Sequence, residues 1–491
     1  MSRLPVPGSD AGTWGNILND YLSVEHNSDG TLKKSSTISG AQQKTERGTV
    51  NGYAPLDSSA KVPVANLPSS YQDVSKDVSS LMVETRRDAV RRGRLLDDFS
   101  DVSQWTMSSG TSFTGGITTQ ASSGVSVCAE VITLAATTTM YLTRDMYIDG
   151  YNKFFSFYIK SDAKTARLDF AVSVSTQTHA YGTTRFSWDG LSSNGVGATG
   201  MYFRSGKWQR VTIPLCSLDP YGSAPPTSDQ QIRDIRQISI GFKGDGTGTS
   251  TIYIADLRLH DAIFDPGICW CFDDGSVGVY NLAFPIFQEY GFKAIVPVIT
   301  QKVGTAGYCT WPQLLEMQAA GWELVNHLQD SINLSGLTTS QVRTYIRAGQ
   351  HDLVANGANP VGAQFLVMPG GVYDETSLSV IEKECCAARS IINYSTGVGK
   401  QNFETPVVND VGRLRTSYWD YNTASVMTKF EGRMDRIANR GGHAFFTFHK
   451  VDVSNGSADG LIVLDSQLRS LLDYAHNLGL RSYSMSELFT P

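Results

Sequence analysis

Gly267-Ile268-Cys269-Trp270-Cys271-Phe272-Asp273-Asp274-Gly275 is the stretch whose reading decides the fold. An unbroken apolar run this short reads as a strand covered on both faces, and strands of that kind belong to parallel sheets flanked by helices. The run ends on two adjacent carboxylates and a glycine, so the chain leaves the sheet through a polar turn.

Outward from this stretch, runs of the same kind recur at 293–300 (KAIVPVIT), 323–327 (ELVNH), 364–369 (QFLVMP) and 443–451 (HAFFTFHKV), each separated by a helix-length segment. After Leu337, Thr338 and Gln341 stand at capping-box spacing, followed by Val342, Tyr345, Ile346 and Leu353 on one helical face. A late helix carries Leu464, Leu468, Leu471, Leu472 and Ala475 and stops at Gly479. Repeated strand–helix units over 264–491 predict a distorted (β/α) barrel, in which chemistry sits at the C-terminal ends of the strands.

Upstream, from 95 to 261, the apolar period changes to two, as in 154–162 (FFSFYIKSD), 166–176 (ARLDFAVSVST), 208–215 (WQRVTIPL), 237–244 (QISIGFKG) and 251–259 (TIYIADLRL). Such strands with turn residues between them predict an all-β, jelly-roll-like sandwich. Its aromatics Tyr158, Trp188, Tyr202 and Trp208 read as core at least as readily as sugar platforms. Residues 71–94 read as a helical stalk with a short seam of Val74, Val78 and Leu81, stopping at Gly93. Residues 1–70 are rich in Ser, Gly, Asn and Pro and read as an irregular anchor or connector, with one amphipathic helix at 13–24.

The 491 residues call for several domains. A charged fraction of 18% and a net charge of −6 argue against a disordered chain and against a nucleic-acid binder. No apolar run approaches the ~20 residues that span a bilayer, and the start lacks the pattern of a secretory signal. The expectation is therefore a chain made in the cytoplasm, with no membrane partner. Seven cysteines, odd in number and without a CxxC pair, fit a reduced folding compartment.

Asp273 and Asp274 at one strand end repel each other unless a cation lies beside them or they take separate tasks. One can bind a divalent metal while the other accepts a proton from water. An Asp-Asp-Gly turn with solvated acids is the plainer alternative. Two further strands end in histidines, His327 and His449, on the same predicted face. Either alone reads as a structural histidine; three coincidences of type and position read as a site.

With these residues in place the sequence resembles the polysaccharide deacetylases, which include chitin-oligosaccharide and peptidoglycan deacetylases. CFDDG (271–275) is similar to their TFDDG motif, VNH (325–327) to the second, MPGGVYD (368–374) to the third and TFHK (447–450) to the last. The resemblance covers 264–491 and implies a hydrolase acting on C–N bonds other than peptide, one that removes acetyl groups from sugars with a metal-activated water. It implies Asp273 as general base, Asp274 and His327 as metal ligands, His449 as general acid, Pro369, Gly370 and Tyr373 as substrate-side support, and zinc as the divalent metal. Two departures stand out. The second histidine of H-x-x-x-H is replaced by Ser331, a poor zinc ligand, with Asp330 as an alternative oxygen donor. The arginine expected two residues before Pro369 is Val367, and Arg415 is either a partial substitute that holds Asp273 or a surface arginine in a loop.

The sandwich segments DDFSDVSQW (97–105), GKWQRVTIPL (206–215) and IYIADLRLHD (252–261) resemble carbohydrate-binding jelly-roll modules. The first 90 residues, with APLDSSAKVP (54–63), resemble tail-associated proteins of bacteriophages. That resemblance implies a virion protein of the tail tip or tail fibre, a homotrimer joined to other tail proteins through residues 1–90, with a host cell-surface glycan as partner. Two functions follow as expectations: a tail-associated glycan deacetylase, or a catalytically silent tail protein that recognises host glycan.

Overall fold

The computed structural model describes residues 93–489 apart from 109, 123–124, 134–138, 163–164, 175–184, 193–205, 222–223, 263, 391–402, 405–415, 420–424 and 455–459. The anchor, the 13–24 helix and the stalk seam of Val74, Val78 and Leu81 lie outside the described residues, as do Tyr202 and Arg415.

From Arg94 to Asp261 the chain forms two six-stranded sheets with antiparallel pairings throughout. The period-two pattern explains the arrangement. Along Ile235–Gly244, Ile238, Ile240 and Phe242 point to the other sheet, where Phe155, Phe157, Ile159 and Ile254 meet them in one buried cluster. Trp208 gives its indole N–H to the carbonyl of Gln120 at 2.9 Å, and the Arg210 guanidinium lies 4.4 Å over the ring of Tyr158.

From Gly267 onward the sheet is parallel. Its strands are β1 (Gly267–Phe272), β2 (Ile295–Val298), β3 (Glu323–Asn326), β4 (Phe365–Val367), β5 (Ala387–Arg389), β6 (Ser417–Tyr418), β7 (His443–Phe448) and β8 (Arg481–Ser482). They pair in the order β5-β4-β3-β2-β1-β7-β6, with β8 joined to the first two residues of β1. Phe403–Glu404 adds an antiparallel pairing to β7. Among the described residues nothing pairs β5 with β6, so the sheet is a partly curled half-barrel rather than a closed ring. The expected 443–451 strand divides: β7 stops at Phe448, and Lys450–Asp452 pairs instead with Ile462–Leu464.

Alternation along these strands sorts the side chains. Ile268, Trp270, Phe272, Val296, Val298, Leu324, Phe446 and Phe448 pack outward beneath helices, including α1 (Phe284–Tyr290) and the long amphipathic α2 (Val426–Arg440). Cys269, Cys271, Ile295, Val325, Phe365, Val367, Ala387 and Phe445 form a separate cluster on the opposite, concave face. The cysteines here are buried apolar filler, and burial raises both thiols well above their usual range.

The sandwich and the half-barrel meet through paired polar groups and a shared core. Arg440, at the end of α2, is fully buried; it donates to the carbonyl of Leu218 and to Asp229 of the sandwich half. Asn152 accepts at Oδ1 from the Gly442 N–H (3.1 Å), and its own N–H donates to the Arg440 carbonyl (2.7 Å). Cys216 of the sandwich half is buried in the outer core of the half-barrel.

Candidate active site

The site stands at the C-terminal mouth of the concave face, where strand periodicity delivers it. Asp273 continues the column Cys269–Cys271, His327 follows Val325, Arg389 follows Ala387, and Thr447 and His449 follow Phe445. Residues two apart on a strand share a face, so each arrives at the rim on the concave side.

Asp274 would by that rule point away. Instead its backbone adopts the left-handed conformation (φ 74°), as does Leu328 just after His327 (φ 64°), both uncommon for residues with a side chain. These turns bring Asp274 Oδ1 to 3.2 Å from His327 Nε2. The second turn is braced by Asn326, whose Oδ1 accepts from the Leu328 N–H (2.8 Å) and whose amide donates to the Ile346 carbonyl (2.9 Å). Gly349 makes room for it, since a Cβ there would lie 2.2 Å from Asn326 Oδ1.

His327 is 4% exposed, and its Nδ1 lies 2.7 Å from the carbonyl of Val367, to which it must donate. In the neutral ring Nε2 then carries a lone pair and faces a carboxylate. Two acceptors in contact require a positive species, either a proton on Nε2 or a cation between them. A histidine whose far nitrogen is held by a carbonyl is the arrangement that orients a metal ligand. With the proton in place, the bond from His327 and the charges of His327, His449 and Lys450 outweigh burial and hold the Asp274 carboxyl below its ordinary range.

These two residues fit a divalent cation as half of a ligand set, and no third ligand joins them among the described residues. Among the described residues no three His, Cys, Asp or Glu side chains gather as metal ligands. Ser331 is exposed. Asp330 is exposed too, and its Oδ1 accepts from the Ser331 N–H at 2.8 Å, so its carboxylate closes its own turn instead of joining Asp274 and His327.

Asp273 is 2% exposed. Its Oδ2 accepts from Arg389, while Oδ1 is buried without a hydrogen-bond partner. A buried acceptor left unsatisfied is costly and uncommon, and it marks an oxygen kept open for a proton. Arg415, the candidate partner for Asp273, lies outside the described residues; Arg389 holds Asp273. The signal for Arg389 was present, because a charge directly after Ala387-Ala388 in a buried strand needs a partner.

His449 is mostly buried. Burial, the largest influence, pushes its imidazole below the usual range; Asp273 and Asp274 oppose this, and Arg389 and His327 add to it. Asp273, Asp274, His327, Arg389 and His449 thus share one electrostatic environment.

The third motif plays a different part from the one expected. Pro369 is buried in a short turn, Gly370 is exposed at φ 63°, and Tyr373 is 3% exposed in a cluster with Leu328, Leu334 and Leu378, so its ring is core. Asp374 caps the helix Glu375–Glu384, accepting from the Ser377 N–H (2.7 Å), and ties down the loop at Gly336 (2.7 Å).

Residues 265–384 match the family model described as polysaccharide deacetylase. Over 112 residues the chain is 31% identical to the polysaccharide deacetylase homologue YxkH of Bacillus subtilis, an alignment covering 23% of this chain and 39% of that protein. The chain thus spans about two fifths of that relative's length. The half-barrel is similar to a family 4 acetyl xylan esterase from Clostridium thermocellum solved with a cobalt ion (17% identity, 45% of this chain and 89% of that one, TM-score 0.31). A family 11 carbohydrate-binding module from the same organism, solved with a mixed-linked tetrasaccharide, is also similar (16% identity, 34% and 95%, TM-score 0.26). The family match includes Asp273, Asp274 and His327 and stops short of Arg389 and His449.

Proposed function

We propose that the half-barrel is a glycan deacetylase that hydrolyses acetyl groups from amino sugars or sugar hydroxyls. The observation that carries this reading is Asp273, a buried carboxylate with one oxygen held and the other open, beside the facing pair of Asp274 and His327. The family match over 265–384 supports the substrate class.

Asp274 and His327 would hold a divalent cation, zinc by the chemistry of a carboxylate and an imidazole, which supplies Lewis acidity toward the acetyl carbonyl and a water. Asp273 Oδ1 takes a proton from water as its oxygen adds to the carbonyl carbon. When the bond from carbon to the sugar nitrogen or oxygen breaks, His449 gives a proton to the leaving group. Acetate and a free amine or hydroxyl result.

A second reading, a glycan-recognising protein without turnover, is favoured by one observation: no third ligand joins Asp274 and His327 among the described residues. Acetate release from acetylated chitooligosaccharides, peptidoglycan fragments and acetyl xylan, with and without added Zn²⁺ or Co²⁺, separates the two. Turnover above background that a chelator abolishes establishes the enzyme; none on any substrate with metal bound favours recognition alone.

The setting we propose is a bacteriophage tail, where a homotrimer attached through residues 1–90 brings the site to a host cell-surface glycan. The support is the sequence pattern of residues 1–90, with APLDSSAKVP at 54–63. The solution mass of the full chain tests the trimer: a monomer at micromolar concentration removes it.

A further inference from the structure

Asp273 and Arg389 lie 116 positions apart, one just after β1 and the other at the end of β5, strands that do not pair. Arg389 is the in-register neighbour of Val367 across the β4–β5 pairing, so its side chain enters the concave face one strand further round than residue 367 would. It is wholly buried. A guanidinium removed from water is tolerated only where paired and hydrogen-bonded, and here the partners come from several strands. One nitrogen donates to Asp273 Oδ2, and another donates to Thr447 Oγ1 at 2.8 Å on β7. Thr447 Oγ1 lies 2.7 Å from Thr416 Oγ1, and Thr416, just before β6, bonds the Phe445 carbonyl at 3.0 Å.

These contacts link β5 to β7 and to Thr416 just before β6, strands to which no described backbone pairing joins β5, and they end on one oxygen of Asp273. We propose that Arg389 is the positioning residue of the site: a strut braced by Thr447 and Thr416 that fixes Asp273 with Oδ1 toward the reacting water. The arrangement accounts for Val367 at the place where the family resemblance leads one to expect an arginine. At that place the backbone carbonyl orients His327, and the charge has moved one strand along. Planarity matters. A guanidinium reaches two partners in fixed directions, whereas an ammonium is a single point charge on a flexible stem.

The assignment of Asp273 as base rests on the function proposed above, so the test has one arm that needs turnover and one that does not. In the full-length chain, Arg389→Met and Arg389→Lys are compared with wild type for labelling of Asp273 by a water-soluble carbodiimide with an amine, read by peptide mass. The variants are also compared for kcat and KM in acetate release and for Co²⁺ affinity. In Arg389→Met, labelling rises about tenfold or more, and kcat falls about a hundredfold, the scale of a misplaced catalytic group, while KM and Co²⁺ affinity stay within about twofold. Arg389→Lys, which keeps the charge if the methionine variant does not fold, gives intermediate values in both arms. Unchanged labelling of Asp273 in both variants overturns the proposal, as does a loss of turnover explained wholly by lost Co²⁺. If wild type releases no acetate, the deacetylase reading fails by itself, and the labelling arm alone decides whether Arg389 holds Asp273.

Discussion

His327 and Asp274 face each other at 3.2 Å with the far nitrogen of the imidazole committed to the Val367 carbonyl. A pair so held is half of a cation site. The full-length protein should bind one Zn²⁺ or Co²⁺ per chain, and either Asp274→Asn or His327→Ala should weaken binding by about a hundredfold or more, since each removes one of two protein ligands. Equilibrium dialysis with metal analysis checks this. Stoichiometric binding that survives both substitutions would move the metal elsewhere.

Ser331 stands where a third ligand belongs, on an exposed turn closed by Asp330. Ser331→His should tighten Zn²⁺ binding by about tenfold or more through a second imidazole. Competition against a chromogenic chelator measures the change. No gain would mean that the turn keeps residue 331 away from His327.

Asp273 carries the open oxygen. Asp273→Asn keeps the shape and removes the base, and turnover should fall by about two to four orders of magnitude with metal binding retained. Initial rates of acetate release with matched metal occupancy decide it, and a variant with wild-type turnover would exclude Asp273 as the base.

Strand periodicity made most of this site legible. Asp273, His327 and His449 each follow an apolar run at the spacing that places them on the concave face. Asp274 could be named but not placed, because its approach to His327 depends on a left-handed turn that nothing in Asp-Asp-Gly requires. Arg389 was overlooked because β5 is three residues long and too short to show a period. The split after Phe448 was hidden for the opposite reason: HAFFTFHKV keeps its apolar character through a break that only strand pairing reveals. Asp330 is exposed and closes its own turn through Oδ1, a local bond that spacing alone does not reveal.

Two buried histidines outside the site contribute to the response to acid. His443 lies between the rings of Phe264 and Tyr483, and burial pushes it down to about 4. His260, stacked on Phe154, is pushed down to about 3 by burial and then by Arg210 and Arg258. Below about 6.5 the unfolded chain takes up protons that the folded chain refuses, so stability present above that pH is lost as pH falls toward 4 and then 3. Glu323, raised to about 7 by burial, acts in the opposite sense between 4.5 and 7, because there the folded state holds the extra proton. Urea midpoints should therefore decline gently from pH 6.5 to 4.5 and more steeply below. Glu323→Gln should steepen the upper part. A midpoint that rises as pH falls through this window would contradict the assignment.

Arg440 is buried against Leu218 and Asp229. Arg440→Ala strands a carboxylate and a carbonyl and should cost about 3 kcal/mol, the usual penalty for breaking a buried pair. Urea denaturation of wild type and variant measures it, and a loss under 1 kcal/mol would make the junction incidental.

The contacts of Arg440, Asn152 and Cys216 also bear on how a glycan held by the sandwich would meet the site. A catalytic module tethered by a flexible linker samples a volume, and its encounter rate follows an effective concentration set by linker length. Here the two halves are joined by the bonds of Arg440 and Asn152 and by the buried Cys216. If they turn as one body, a glycan bound on the sandwich would present its sugars to Asp273 at a set spacing rather than at an average over a tether.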